Sequence, residues 1–299
     1  MAKISVIIPT YGEPDRLENA INSILNQTYQ DFEIMVIDDN NPESSARAKT
    51  TEIVNRLVSS DDRVHYLCHD RNKNGSAARN TGIRNSKGQY LSFLDSDDQY
   101  APERLEKCIK LIESKGDVKY KAVYTGCEFR RKGKTYHVET HMEDGNYLVQ
   151  CLASTFNICS GSNIFVERQA VEELNGFDES FARQQDIEFL VRYFERYSIL
   201  GLKDVLVIKN QDGKNRPAPE KLEEIKKQFL ETFDMVIKAQ SQENQDYIFS
   251  RHYQQIAEQY LSLGNMRKAK QYYSSVKQYH GYNIKCIIRK YCYIFKLLK

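Results

Sequence analysis

No apolar run in this chain reaches the roughly 18 to 20 residues that a bilayer-spanning helix needs, so a protein that does not cross a membrane is expected. The opening residues hold no long apolar stretch before strand-like sequence begins, which argues against a secretory leader and for a cytosolic protein. Cysteine occurs seven times, an odd number without a Cys-x-x-Cys pair (Cys68, Cys108, Cys127, Cys151, Cys159, Cys286, Cys292). That pattern suits neither a disulfide framework nor a zinc knuckle, and buried reduced thiols are expected. Neither sign of charge is in excess: 43 Lys and Arg against 41 Asp and Glu leave a net charge of +2, too small to point to nucleic acid. A Gly-x-x-x-x-Gly-Lys phosphate loop is missing, and no Gly-x-Gly-x-x-Gly follows the first strand, so kinase and dehydrogenase readings are poor.

What is present is a composition of 40% hydrophobic and 28% charged residues, that of a globular protein, over a length that suits one large domain and a smaller appendage. Residues 4–9 form a β-branched run that suits a buried parallel strand, and residues 14–26 carry Leu17, Ala20, Ile21, Ile24 and Leu25 at helical spacing. The alternation continues with strands at 33–37, 64–68 and 89–94 and helices at 46–58 and 75–85. It predicts an α/β domain, a mostly parallel sheet covered by helices. A helix at 102–114, a hairpin from strands 122–129 and 135–138, a short helix at 168–174, a helix at 187–197 and a last strand at 205–208 complete residues 1–210. Residues 210–219 are polar, with two prolines, and read as a flexible loop or lid.

From residue 219 to 299 the pattern is helical. Ala257, Tyr260, Leu261, Gly264, Asn265, Ala269, Tyr272 and Tyr273 look like one tetratricopeptide-type helical pair, for which a packing role is expected. The stretch 284–299 places Ile287, Ile288, Tyr291, Ile294, Phe295 and Leu298 at helical spacing, and its only charged residues are the basic Lys285, Arg289, Lys290, Lys296 and Lys299. Such a helix suits a membrane interface with anionic lipid; an end helix packed on the preceding pair, or a homodimer contact, is the alternative.

The chemistry concentrates at strand ends. Asp95 and Asp97 lie one residue apart just after an apolar strand, at the edge of an open α/β sheet where ligands bind. Two carboxylates so spaced can grip a divalent cation and a ribose while the cation bridges a diphosphate. Taken alone the pair is a weak signal, because acidic turns are common. His65 with His69 and His137 with His141 are four apart, but in strand-like sequence that spacing makes no helical ligand pair, and surface histidines are expected.

In order along the chain stand Pro9-Thr10-Tyr11, Asp38-Asp39-Asn40, Arg79-Asn80, Asp95-Ser96-Asp97 and Gln185-Asp186. This set resembles the family 2 glycosyltransferases of GT-A fold over about residues 1–210. The resemblance implies an inverting transferase that uses a nucleotide-sugar, a UDP-sugar foremost, with Mn²⁺ or Mg²⁺. By position it implies that Pro9, Thr10, Tyr11 and Glu13 belong to the loop touching base and ribose, and that Asp39 reads the nucleobase. It implies that Arg79 faces the diphosphate or holds the acidic loop, that Asp97 is the direct metal ligand, and that Asp95, with Ser96 beside it, contacts nucleotide or metal. Asp186 matches the general base, which in the family usually follows a Glu and here follows Gln185. At the start of a helix its carboxylate is expected to stay ionised under the amide dipoles; a plain helix cap is the alternative. Asp98 is left between an acceptor contact and a cap for the next helix.

The expectation is therefore a GT-A-like catalytic domain at 1–210 and a helical domain at 219–299. Its partners would be a nucleotide-sugar and a glycan or lipid-linked glycan acceptor of capsule, O-antigen or teichoic acid type. The expected place is the cytoplasm, with a peripheral contact on the inner face of the plasma membrane through 284–299. Two rivals stand beside it. A sugar nucleotidyltransferase would need a glycine-rich basic loop after the first strand, which residues 10–15 do not supply. A noncatalytic glycan-binding or scaffold protein of the same fold is opposed by the intact Asp39, Asp95, Asp97 and Asp186 set.

Overall fold

The computed structural model describes residues 2–12, 14–211 and 217–279. They divide into two compact units, one of Met1–Leu148 and Asn157–Lys214, the other of Val149–Phe156 and Asn215–Lys299. Glu13 and the stretch 284–299 lie outside the described residues.

The first unit is built around β1 (Ile4–Thr10). Alternation along this strand turns Ile4, Val6 and Ile8 toward α1 (Leu17–Leu25), whose Leu17, Ala20, Ile21 and Ile24 recur at helical spacing, and all seven are fully buried. Each of the Ile, Val and Leu side chains contributes about 1.5–3 kcal/mol by leaving water. Ile7 meets α3 (Gly75–Asn85) at Gly82, where a Cβ would lie 2.5 Å from the isoleucine Cγ2, so only glycine permits this approach. Between them come β2 (Phe32–Asp38), α2 (Ser45–Ser60) and β3 (Val64–Cys68), with Ser44 Oγ capping α2 by accepting from Arg47 N at 3.2 Å.

Next are β4 (Tyr90–Phe93), β5 (Gln99–Tyr100), α4 (Arg104–Lys115), β6 (Tyr120–Arg131), β7 (Lys134–Glu139) and α5 (Leu148–Leu152). A 3-10 turn at Gly161–Asn163 leads to β8 (Phe165–Glu167), α6 (Arg168–Glu173), α7 (Gln185–Phe194) and β9 (Ser198–Asn210). The strands form one mixed sheet in the order β3-β2-β1-β4-β8-β6-β9-β5, with β7 paired to β6. β1 to β4 run parallel, β8 is antiparallel to both neighbours, and β6 and β9 are parallel again. The α/β expectation holds. Thr10 lies opposite Asp38 in the register, so the carboxyl ends of β1, β2 and β4 open on one edge, where the strand order reverses at β1.

One helix is shorter than its periodicity suggests. α7 stops at Phe194, because the Asn146 side-chain amide donates to the Phe194 and Tyr197 carbonyls at 2.6 and 2.8 Å and frees the chain to start β9 at Ser198. Cys108, Cys127 and Cys151 are buried free thiols as expected, whereas Cys68 is exposed and Cys159 half-buried.

In the second unit α8 (Pro219–Thr232), α9 (Asp234–Lys238), α10 (Gln242–Ser262) and α11 (Met266–Val276) follow one another. Gly264, at φ +79°, and Asn265, whose side chain accepts from Lys268 N, make the tight turn between α10 and α11. Ile256, Ala257, Tyr260, Leu261, Ala269 and Tyr273 form the core of this helical pair. The segment Val149–Phe156 joins the unit through His252 Nε2, 2.7 Å from the Leu152 carbonyl, and the Gln255 amide, which donates to the Ser154 carbonyl at 3.1 Å. Among the described residues no helix is long and apolar enough to cross a membrane.

Candidate active site

The ends of β1 and β2 form the first wall. Pro9 is half-buried, Thr10 buried and Tyr11 65% exposed, and the Asp39 N–H donates to the Thr10 carbonyl at 2.9 Å. Asp38 is internal: it accepts from the Tyr66 hydroxyl at 2.6 Å and the Asn40 N–H at 2.9 Å, and pairs with Arg47 Nε at 3.0 Å. Asp39 is nearly as buried and organises the next loop. Its oxygens take His69 Nδ1 and the Lys73 N–H at 2.7 Å, and the Asn72 amide and the Asn74 N–H at 2.9 Å. A carboxylate has about four acceptor sites, so any contact of Asp39 with a base has to replace one of these bonds.

His69 was expected on the surface, and this is corrected. The ring is buried between Asp39 and Thr81 Oγ1, 2.9 Å from Nε2; because a carboxylate only accepts, Nδ1 carries a proton. His65, on the outward face of β3, is exposed.

Arg79 joins the second wall to the third. From α3 its Nη2 donates to Asp95 Oδ1 at 2.7 Å and its Nη1 to Gln185 Oε1 at 2.8 Å, while the guanidinium lies 5.5 Å from the Phe177 ring centroid. The acidic loop is thereby tied to the first turn of α7. Burial alone would raise the Asp95 carboxyl, but the charge and hydrogen bond of Arg79, with Lys209 and Ser162, hold it below its ordinary value. Ser96 is half-buried on the same loop.

Asp186 is the second residue of α7, whose N-cap is Gln184 in the left-handed region at φ +59°. It is therefore inside the first turn, and Gln184 rather than Asp186 is the cap. The helix does contribute to its ionisation, since the Ile187 N–H donates to Asp186 Oδ1 at 3.0 Å and lowers its carboxyl. Burial raises its carboxyl above the ordinary value and Asp95 adds to this, against the lowering charge of Arg79. Gly161 lies against both groups: a Cβ there would stand 3.4 Å from Arg79 Nη2 and 3.8 Å from the Asp186 Cβ.

Asp97 and Asp98 face opposite ways. Asp98 is fully buried, with Ser162 Oγ at 2.7 Å and Ser160 Oγ at 3.3 Å on Oδ2 and the Asn210 N–H at 3.0 Å on Oδ1. It caps no helix, since α4 begins after Glu103. Burial pushes its carboxyl up to about 7. Asp97 is exposed, and among the described residues no other side chain donates to its carboxylate. Desolvation in the crevice and the Asp95 anion raise it, against the lowering charges of Lys209 and Arg16.

Among the described residues no three His, Cys, Asp or Glu side chains are grouped to hold a metal ion by themselves. The donor set still fits a hard divalent cation that takes one or two carboxylates from the protein and the rest of its oxygens from a diphosphate. Three supporting residues carry no motif signal. Arg104, fully buried, donates to Thr125 Oγ1 at 2.7 Å and Asn163 Oδ1 at 3.1 Å and so fixes the turn that bears Gly161 and Ser162. His69 and Lys209 stand at or just past the ends of strands, a position that marks them in retrospect.

Known proteins share the fold that carries this site. S. aureus TarS 1-349 in complex with UDP-GlcNAc superposes with a TM-score of 0.60 at 16% identity, over 94% of this chain and 94% of that one. The mannosyltransferase PcManGT from Pyrobaculum calidifontis, in complex with GDP-Man and Mn²⁺, does so with a TM-score of 0.56 at 16% identity, over 99% of this chain and 80% of that one. At such identities the shared property is the fold, that of the GT-A glycosyltransferases. The sequence model of glycosyl transferase family 2 matches residues 5–174, more than half of the chain, which therefore belongs to that family. An uncharacterized glycosyltransferase of Haemophilus influenzae is 32% identical over 174 residues, 58% of this chain and 66% of that protein. The amylovoran biosynthesis glycosyltransferase AmsB of Erwinia amylovora is 26% identical over 208 residues, 68% of this chain and 66% of that protein. The chain spans just under two thirds of the length of these relatives.

Proposed function

We propose that this glycosyltransferase inverts the anomeric centre as it moves a sugar from a UDP-sugar to a hydroxyl of a cell-surface glycan precursor. The observation that carries the reading is Asp186, a carboxyl raised by burial and set beside the Arg79 bridge to the acidic loop. Inversion needs one in-line displacement, with a base for the acceptor hydroxyl on the face opposite the leaving diphosphate. As the acceptor oxygen bonds to the anomeric carbon, its proton passes to Asp186 and the bond to the diphosphate oxygen breaks with its electron pair on the diphosphate. Arg79 fixes the distance between these two events. Asp97, with Asp95, would hold Mn²⁺ or Mg²⁺, which when bound neutralises diphosphate charge. The UDP-GlcNAc complex of TarS supports a UDP-sugar, and the part of AmsB in amylovoran biosynthesis supports glycan assembly.

The test is Asp186→Asn, which keeps shape and removes the base. We expect kcat to fall by about 10² to 10⁴ while the Kd for UDP stays unchanged. Undiminished transfer by the variant would remove Asp186 from the chemistry.

A further inference from the structure

A lysine outside every motif stands among the site's carboxylates. The last two residues of β9 are stitched to the acidic loop: the Asn210 N–H donates to Asp98 Oδ1 at 3.0 Å, its side-chain amide donates to the Asp97 carbonyl at 2.7 Å, and Lys209 Nζ lies 3.5 Å from Asp98 Oδ2. Asp98 does not depend on that lysine, because Ser160, Ser162 and Asn210 already donate to its two oxygens. Lys209, by contrast, has a side chain only 18% exposed and three N–H donors, and among the described residues its long contact to Asp98 is its one ion pair. An ammonium taken out of water with donors to spare calls for a further anion.

We propose that Lys209 binds the diphosphate of the nucleotide donor and stabilises the charge of the leaving group. The proposal rests on the glycosyl-transfer reading and adds a residue to it. When the anomeric carbon–oxygen bond breaks, the electron pair stays on the terminal diphosphate oxygen, the acceptor proton goes to Asp186, and the Lys209 N–H groups donate to the diphosphate. A lysine suits this task as a compact point charge on a flexible stem, able to leave a 3.5 Å contact for a phosphate oxygen. Asp98 stays in place meanwhile, held by its serines. Burial alone would favour the neutral amine, but the anions of Asp98, Asp95, Asp97 and Asp186 outweigh it and keep the cation.

Calorimetry of the full chain with UDP and with uridine, both in the presence of Mn²⁺, tests this. Lys209→Met is expected to weaken UDP about tenfold or more and to leave uridine unchanged, and Lys209→Arg to recover part of the UDP affinity. Equal UDP affinity in Lys209→Met and wild type makes Lys209 a mere counter-ion of Asp98 and overturns the proposal. Equal loss of UDP and uridine makes it a structural residue and overturns it too. Should Lys209→Met not fold, Lys209→Gln carries the same comparison. If the wild type does not bind UDP, the donor reading fails, a result separate from any that concerns the variants alone.

Discussion

Arg79 and Gln185 meet at 2.8 Å, and through that contact the loop bearing Asp95 and the turn bearing Asp186 become one object. A single guanidinium spans the two because its donors form a rigid fork. In the proposed reaction, donor grip and proton transfer would thus be set by the same side chain.

Gly75 is the weak point of that arrangement. A Cβ there would stand 2.8 Å from Gln185 Oε1 and 3.1 Å from Arg79 Nη1. Gly75→Ala should displace the bridge and lower kcat by about 10- to 100-fold, since small misplacements of reacting groups cost that much. The melting temperature should not fall, because alanine at the start of α3 favours the helix by up to about 1 kcal/mol. Steady-state kinetics beside a thermal melt separates the two; wild-type kcat would show that the bridge is dispensable.

Asp97→Ala should abolish the part of UDP affinity that depends on Mn²⁺ and leave the affinity measured in EDTA equal to that of the wild type. Titration calorimetry under both conditions is the measurement. A variant that still responds fully to Mn²⁺ would free Asp97 from metal binding.

The helical unit carries its own pH signature. Lys226 is buried, which lowers its amine to about 7, and nearby His252 is lowered to about 3, first by burial and then by Lys226. Unfolding returns the lysine to its ordinary value of 10.5, so between about pH 7 and 10 the unfolded chain binds more protons and stability rises with pH. His252 acts with the same sign between about pH 3 and its ordinary 6.5. Lys226→Met should raise the melting temperature at pH 7.5 and flatten its rise toward pH 9.5. An unchanged slope in melts of the variant would mean that Lys226 is solvated.

The sheet was largely legible because β1, β2 and β4 are almost continuously buried and α1 and α2 bury residues at helical spacing. The elements that escaped have little pattern to offer. β5 is two residues long, and the first half of β9 carries Lys203 and Asp204 and follows a helix whose end is set by the distant Asn146. In the candidate site, spacing and resemblance single out Asp39, Arg79, Asp95, Asp97 and Asp186, but not the partners of each. That Asp39 binds His69 and Asp98 binds Ser160 and Ser162 depends on contacts between residues 30 and more than 60 positions apart, which no local period encodes.

The amide at position 185 has an electrostatic consequence. A glutamate in its place would meet Arg79 as a second carboxylate beside Asp95 and cancel the guanidinium twice over. With glutamine, Arg79 is matched by one carboxylate, and the crevice carries one negative charge less. Its potential toward an arriving polyanion is correspondingly less repulsive, which favours capture of a nucleoside diphosphate, most strongly at low ionic strength.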